Sequence, residues 1–333
     1  MDRRGFLIAT GTTLTALGAG RVGAPPGLPA VTASGRRRLT ASMVTRLEQR
    51  LDDLRRLDDV LGGGELRSLA AAELKLLNTL ADEAVYDTAT GQRLFSALAE
   101  AARLSGWLHF DASRHAAAQS FYVTALRASA TAGDRDAGAN VLNFLAIQTY
   151  SVGNPQDAVN LVRTAQSQAT HATPRVRAML HARAARALSK TGDRTACAHE
   201  LDAARTACAA GPRDEDPPWS YWICEGEIEM LAGSAALDLG DPRQALTFFD
   251  AARRAAYAAD GYARDNALYL TRAAQAHLEL GDVDASCATA TQALGQSNGV
   301  DSARPSDALD TFRRHLAPHR HIRAAQEFLD LTA

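Results

Sequence analysis

The chain has 333 residues, of which 46% are hydrophobic and 6% aromatic, and its formal net charge is −2. This apolar content can form a continuous core, and the low aromatic content favours closely packed helices over a β-sheet core. A mildly acidic balance argues against the basic surface that nucleic-acid binding needs, so we expect no direct nucleic-acid binding by this chain.

Residues 1–38 are predicted to form a flexible basic segment, and two interpretations of it are possible. The pair Arg3-Arg4 precedes large apolar residues and a weakly apolar run, which is typical of a twin-arginine export signal, and small residues would permit cleavage near Ala33. The alternative is a poorly ordered N-terminal segment of a cytoplasmic protein. The apolar run is too short, and too rich in Gly and Thr, to form a stable transmembrane helix.

The next part of the chain, residues 39–91, is predicted to form N-terminal helices. Apolar residues recur at helical spacing over 39–60, and Gly62-Gly63-Gly64 is expected to end this helix. A second helix is predicted over 65–85. A third begins after Asp87, whose short polar side chain can cap it.

Residues 92–300 are predicted to form about five helical hairpins. Within 139–169, apolar residues at spacings of three and four indicate two helices. They are predicted to be joined by a turn, since Gly153 can take the positive φ that ends a helix and Asn154-Pro155 favours a turn before the second helix starts. Similar units turn at Ser113, Gly192, Gly240 and Gly281. Small residues occupy the three positions in each hairpin where the helices approach closely: Gly106, Ala118 and Ala125; Ala146, Ala158 and Ala165; Ala185, Cys197 and Ala204; Gly233, Ala245 and Ala252; Ala274, Ser286 and Ala293.

This pattern resembles the tetratricopeptide repeat, whose signature is small residues at three fixed positions and a turn between two helices. The match covers residues 94–294 and is degenerate, since Ala replaces many of the usual large residues and the period exceeds 34. The resemblance implies an all-α fold, a right-handed superhelical solenoid whose first helices line a concave groove. Residues 301–333 are then predicted to be capping helices.

A wider resemblance is to bacterial transcriptional regulators in which a helix-turn-helix domain precedes a tetratricopeptide-like sensor region. It rests on residues 54–59 with 62–64, Gly106-Trp107, 173–178, 263–269 and 316–320. It implies a regulatory sensor protein in the cytoplasm. The DNA-binding domain of that group has no counterpart in this sequence, so a DNA-binding role is not carried over.

No constellation of side chains in the sequence predicts catalysis. The histidines of the repeat helices stand alone, and His315, His319 and His321 lack a carboxylate or cysteine at a spacing that would complete a metal site. We therefore expect no enzymatic activity, no metal site and no cofactor. The cysteines form no CxxC pair and are predicted to be buried free thiols: Cys197, Cys208, Cys224 and Cys287.

The concave groove is the predicted binding site, for a peptide, a small molecule or a partner protein. Asn140 and Asn143 could hold a peptide backbone, because an amide side chain both donates and accepts hydrogen bonds. The aromatic cluster around Trp222 could either wall a pocket or pin the preceding loop to the array. The predicted groove residues are Arg103, Trp107, Phe110, Asn140, Asn143, Ile147, Tyr150, Arg186 and Trp222.

The predicted function is that of a non-enzymatic interaction or sensor protein, with regulation as the expected role. The alternative is an interaction scaffold exported through the twin-arginine signal.

Overall fold

The computed structural model describes residues 38–255, 262–297 and 302–332. Over these ranges the chain forms fourteen α-helices and two short 3-10 helices, and the one β-type contact is an isolated bridge between Arg38 and Val85. The predicted all-α class is confirmed. The α-helices are α1 (Ala41–Leu61), α2 (Gly63–Glu83), α3 (Thr88–Asp111), α4 (His115–Ala132), α5 (Arg135–Val152), α6 (Pro155–Gln168), α7 (Pro174–Thr191), α8 (Arg194–Cys208), α9 (Glu225–Asp238), α10 (Pro242–Arg254), α11 (Ala263–Glu279), α12 (Val283–Ser297), α13 (Ala303–Leu316) and α14 (Arg323–Leu331).

Local sequence explains where the N-terminal helices begin and end. Gly62 ends α1 with a φ of 79°, a left-handed conformation that glycine adopts readily. Helix α2 starts at once, two residues earlier than predicted, and the amide of Gly63 donates to Asp111 Oδ2 at 3.2 Å. Asp87 caps α3 as predicted, because its Oδ1 accepts from the amide of Thr90 at 2.7 Å.

The next ten helices pack as five sequential antiparallel pairs, from α3 with α4 to α11 with α12. This confirms the predicted array of helical hairpins. Four of the predicted turn residues adopt a left-handed φ: Ser113, Gly192, Gly240 and Gly281. The prediction for Gly153 was wrong, since its φ is −124°. There the extended Asn154, which precedes a proline, makes the turn and accepts from the amide of Gln156 at 2.9 Å.

The small residues of the repeat lie where the two helices of each hairpin touch. A Cβ atom at Gly106 would lie 2.6 Å from Cε1 of Tyr122, and one at Gly233 would lie 2.6 Å from Cε1 of Phe249. The other small residues at these positions are at most 1% exposed. Since no larger side chain fits between such closely spaced backbones, these residues set the helix spacing within every hairpin.

The last third of the chain returns to the first. Arg264 in α11 contacts Asp58 in α1, with 2.9 Å between Arg264 Nη1 and Asp58 Oδ1. Just before α13, Ser302 Oγ donates to Asp111 Oδ1 at 2.9 Å. The two ends of the array therefore meet and partly enclose its inner side, which remains open to solvent in part. Helix α14 covers α12, as a capping helix would, and packs on α13 through the rings of Phe312 and Phe328, whose centroids are 5.6 Å apart.

The predicted export signal within residues 1–37 lies outside the described residues. None of the helices in the described ranges is both long and apolar enough to cross a membrane.

Candidate functional site

One large cavity lies on the enclosed side of the array. The first helices of all five hairpins line it, namely α3, α5, α7, α9 and α11, together with α1, α13 and the segment between α8 and α9. The cavity holds about 1010 Å³ of empty space, including the part that is open to solvent.

Aromatic side chains form a connected part of the lining. Trp107 meets Phe144 edge-to-face with ring centroids 5.1 Å apart, and Phe144 meets Trp222 in the same way at 6.5 Å. Trp219 and Tyr221 also line the cavity, so the aromatic cluster that follows the proline-rich loop at 211–218 walls a pocket. The chain contains three tryptophans, and all of them line this cavity. Tryptophan fluorescence therefore reports directly on the site.

A buried ion pair closes the cavity between α1 and α11. Asp58 accepts from Nη1 of Arg264 and from the indole Nε1 of Trp107, each at 2.9 Å. The guanidinium of Arg264 also lies 5.1 Å from the ring of Trp107. Both charged side chains are almost fully buried. Removing either partner would leave an uncompensated charge in the interior, which is costly.

Arg103 is held in place by a carboxylate behind the lining. Its Nη2 donates to Glu100 Oε1 at 2.6 Å, and Arg55 Nη1 donates to the same oxygen at 2.9 Å. Burial alone would raise the pKa of Glu100, but Arg103 and Arg55 outweigh it and lower that pKa. The guanidinium of Arg103 lies 4.3 Å from the ring centroid of Phe144, so it also stacks on the aromatic lining.

Positive charge is in excess where α7, α9 and α11 meet. Arg186 donates to Asp238, Lys190 Nζ lies 2.8 Å from the same carboxylate, and Arg272 Nη1 lies 3.8 Å from it. Burial would raise the pKa of Asp238, yet the three cations lower it. The pKa of Arg272 is lowered by burial and by the charge of Arg186. One carboxylate thus faces three cations, two of which line the cavity.

Asp59 is the titratable group of the lining with a pKa near neutrality. The hydroxyl of Tyr221 donates to Asp59 Oδ2. Burial raises the pKa of Asp59 to about 7, although the hydrogen bond from Tyr221 and the charge of Arg264 both lower it. Its charge therefore changes in the pH range where most proteins work.

The structure brings six of the nine predicted groove residues together in this cavity: Arg103, Trp107, Ile147, Tyr150, Arg186 and Trp222. The other three lie behind the lining. Phe110 packs against the rings of Trp107 and His115, with centroid distances of 5.8 and 5.6 Å. Asn140 and Asn143 are buried, and Asn143 Oδ1 accepts from Arg183 Nε at 2.9 Å. Neither asparagine lines the cavity, where we expected both to contact a peptide backbone. Asn143 instead holds Arg183, which does line it.

Several lining residues were missed by the sequence analysis. Arg183 stands three residues before Arg186 on α7, so helical spacing could have identified it. Arg264 and Arg304 enter the site only because the array closes, and no local pattern reports that closure. Arg264 does lie within 263–269, one of the segments that carry the resemblance to bacterial regulators.

Outside the cavity, the cysteines and the C-terminal histidines have ordinary surroundings. All four cysteines are free thiols; Cys197 and Cys287 are buried as predicted, whereas Cys224, next to the proline-rich loop, is exposed, so that prediction was wrong. His315 Nδ1 lies 3.0 Å from Gln275 Oε1. In the part of the chain that the structure describes, no three His, Cys, Asp or Glu residues are grouped to hold a metal ion.

Comparison with known protein families gives no match for this sequence, and neither does comparison with curated proteins. What the structure shows is an all-α array of sequential antiparallel helix pairs, consistent with a helical repeat. The closer resemblance to the tetratricopeptide repeat and to bacterial regulators stays a prediction.

Proposed function

We propose that this chain is a non-enzymatic sensor protein of the tetratricopeptide-like class, which binds a small molecule in its enclosed cavity. The observation that carries the proposal is the origin of the lining: every hairpin contributes its first helix, and the two ends of the array meet around the same space. A bound molecule would therefore contact the whole array at once, which suits a sensor.

The chemistry of the lining supports binding rather than catalysis. Seven arginines line the cavity, and arginine stays protonated at all physiological pH values, so it binds anions well but moves protons poorly. Four carboxylates also line it, and each has an arginine or tyrosine partner within hydrogen-bonding range: Asp58, Asp59, Glu227 and Asp265.

Binding of a ligand would change the fraction of molecules in which the two ends of the array are in contact. A ligand that touches α1, α11 and α13 together stabilises the closed arrangement relative to an open one, and it shifts the population by its difference in affinity for the two. The surface presented to a regulatory target would change with that closure. This is the mechanism that we propose for signal transmission.

The experiment separates the source cells' extract by size and measures the effect of each fraction on purified full-length protein. Tryptophan emission and the thermal unfolding midpoint are the readouts. We expect a saturable change in emission, together with a higher midpoint, from the fraction below about 1 kDa, since ligand binding to the native state stabilises it. A response confined to the macromolecular fraction would replace the small-molecule sensor with a protein-binding scaffold.

We place the protein in the cytoplasm, in keeping with the regulator resemblance, with twin-arginine export as the alternative suggested by Arg3-Arg4. The intact mass of the chain from fractionated source cells decides between them. An uncut chain in the cytoplasmic fraction supports the sensor. A chain cut near Ala33 and found outside the cytoplasm supports an exported scaffold.

A further inference from the structure

The seven arginines of the cavity differ in how their charge is balanced. Six have a carboxylate oxygen within 3.8 Å: Arg55, Arg103, Arg186, Arg264, Arg272 and Arg304. Arg183 has none among the described residues. Its Nε donates to Asn143 Oδ1 at 2.9 Å and its Nη1 donates to the hydroxyl oxygen of Tyr150 at 2.8 Å, so both of its acceptors are neutral.

Arg183 is also well removed from bulk water, since it is only 5% exposed. Its remaining terminal nitrogen, Nη2, has no acceptor within the part of the chain that the structure describes. Burial raises the pKa of Asp265, but the charges of Arg264, Arg304 and Arg183 outweigh it and lower that pKa, so Asp265 interacts with Arg183 without touching it. A buried guanidinium with no carboxylate in contact is unfavourable, and an anion in the cavity would remove that cost. The geometry of the site therefore favours an acceptor with full negative charge at Nη2.

Tyr150 supplies a second donor at the same place. Because its oxygen accepts from Arg183, its own proton is left to point elsewhere, and no described residue accepts it. The charges of Arg183 and Arg186 lower the pKa of Tyr150 in spite of its burial, which indicates a positive potential around the hydroxyl. Arg272, whose counter-ion Asp238 is shared with Arg186 and Lys190, adds to that potential.

Part of the wall beside this donor pair is apolar. Ile147 lies one turn before Tyr150 on α5, and the aromatic series of Trp107, Phe144 and Trp222 continues the wall. Flat apolar groups pack well against such edge-to-face rings.

We propose that the ligand is a small organic anion, a carboxylate or phosphate monoester on an aromatic or flat apolar body, with Arg183 and Tyr150 holding its anionic group. The proposal rests on the small-molecule sensor function proposed above and names the chemical class of its ligand. Carboxylate and phosphate share the oxygens that a guanidinium binds through two parallel hydrogen bonds, so the test has to distinguish them.

The test compares three probes of similar shape by isothermal titration calorimetry on the full chain: naphthalene-1-carboxylate, 1-naphthyl phosphate and the neutral naphthalene-1-carboxamide. We expect one site, with at least one of the anions binding about tenfold or more tightly than the carboxamide, as charge-assisted hydrogen bonds require. The anion with the larger preference identifies the head group. In Arg183→Gln the preference for the anion should fall to about twofold or less.

Two further variants serve as controls, one for the loss of charge and one for a failure of Arg183→Gln to fold. Arg177→Gln removes the same charge from an exposed position on the same helix, and it should keep the wild-type preference. Arg272→Gln changes a partly exposed arginine, so it should fold even if Arg183→Gln does not, and it should lower the anion preference by a smaller factor.

The outcomes separate this proposal from the function on which it rests. If the carboxamide binds as tightly as both anions, or if Arg183→Gln and Arg177→Gln behave alike, the cavity binds small molecules but the anion assignment is wrong. If none of the three probes binds or changes tryptophan emission, the small-molecule cavity itself is contradicted.

Discussion

Two faces of the same helices behave differently in this protein. In four hairpins the small residue that packs inside the pair is followed directly by a residue that lines the cavity: Gly106-Trp107, Ala146-Ile147, Ala185-Arg186 and Gly233-Ser234. On the packing face, which lies between the two helices of a pair, the side chains are nearly uniform in size and chemistry from hairpin to hairpin. On the cavity face, the side chain at this position is aromatic in the first hairpin, aliphatic in the second, cationic in the third and a hydroxyl in the fourth.

The difference between these faces shows how one repeat serves two purposes. Uniform small residues fix the spacing of the helices, because close-packed backbones tolerate little variation in volume. The neighbouring position points about 100° away around the helix, so it is free of that constraint and can carry recognition chemistry. The two faces should therefore respond differently to substitution.

The largest effect is expected at the ion pair that closes the array on its cavity side. Asp58→Ala leaves Arg264 buried without its closest carboxylate and removes the acceptor of Trp107, and such a change typically costs about 3–5 kcal/mol. The thermal and urea midpoints of unfolding measure it. As a control, Asp53→Ala on the exposed side of α1 should change stability by no more than about 0.5 kcal/mol. Equal effects of the two substitutions would contradict closure through Asp58.

A pH-dependent effect is expected at Asp59. Its pKa in the folded chain is about 7, above the ordinary value of about 3.9, so its stabilising contribution is complete below pH ~4 and is lost as the pH rises through 7. Asp59→Asn mimics the neutral acid and keeps an acceptor for Tyr221. The free energy of unfolding of the variant should rise relative to that of the wild type between pH 5 and pH 8, by at most about 3 kcal/mol. Urea unfolding at both pH values tests this, and a gain that is independent of pH would refute it.

An intermediate loss of stability is expected on the packing face, between the two helices of a pair. Gly106→Ala and Gly233→Ala place a methyl group 2.6 Å from the ring of Tyr122 or Phe249, and overpacking of this kind costs about 1–3 kcal/mol. Gly295→Ala makes the same substitution in α12 with no atom within 4 Å of the new carbon. That control should be neutral or stabilising by up to about 1 kcal/mol, since alanine favours helix more than glycine does. Differential scanning calorimetry of the three variants tests whether the first two lose stability while Gly295→Ala does not.

The smallest effect is expected one residue further along α9, on the cavity face. Ser234 Oγ is buried and has no hydrogen-bond partner among the described residues. Ser234→Ala should therefore be neutral or stabilising by up to about 1 kcal/mol in the ligand-free protein. Gly233→Ala, at the adjacent position on the packing face, should instead lower the stability. If Ser234→Ala lowered the stability as much as Gly233→Ala, the two faces would not differ in their tolerance of substitution.

Sequence periodicity predicted the hairpins well because their signals are local. A turn residue and three small residues define each unit, and the turns at Gly192 and Gly240 were found in this way. Gly153 shows the limit, since Asn154 and Pro155 suffice to reverse the chain without a left-handed residue.

The site was predicted less completely because closure is a long-range property. Asp58 and Arg264 are 206 positions apart, and no periodic pattern links them. Asn143 shows a second reason: a polar residue near the concave side can either face a ligand or hold the residue that does. Asn143 does the latter, through Arg183, and only the packed structure distinguishes the two.

The most direct test of the enclosed binding site is native mass spectrometry of the protein isolated gently from its source cells. We predict a one-to-one complex of the chain with a molecule below about 1 kDa, which ionises as an anion after release. Arg183→Gln from the same cells should carry much less of this molecule. A bare wild-type chain, or one that carries another polypeptide but no small molecule, would contradict binding of a small anion in the cavity.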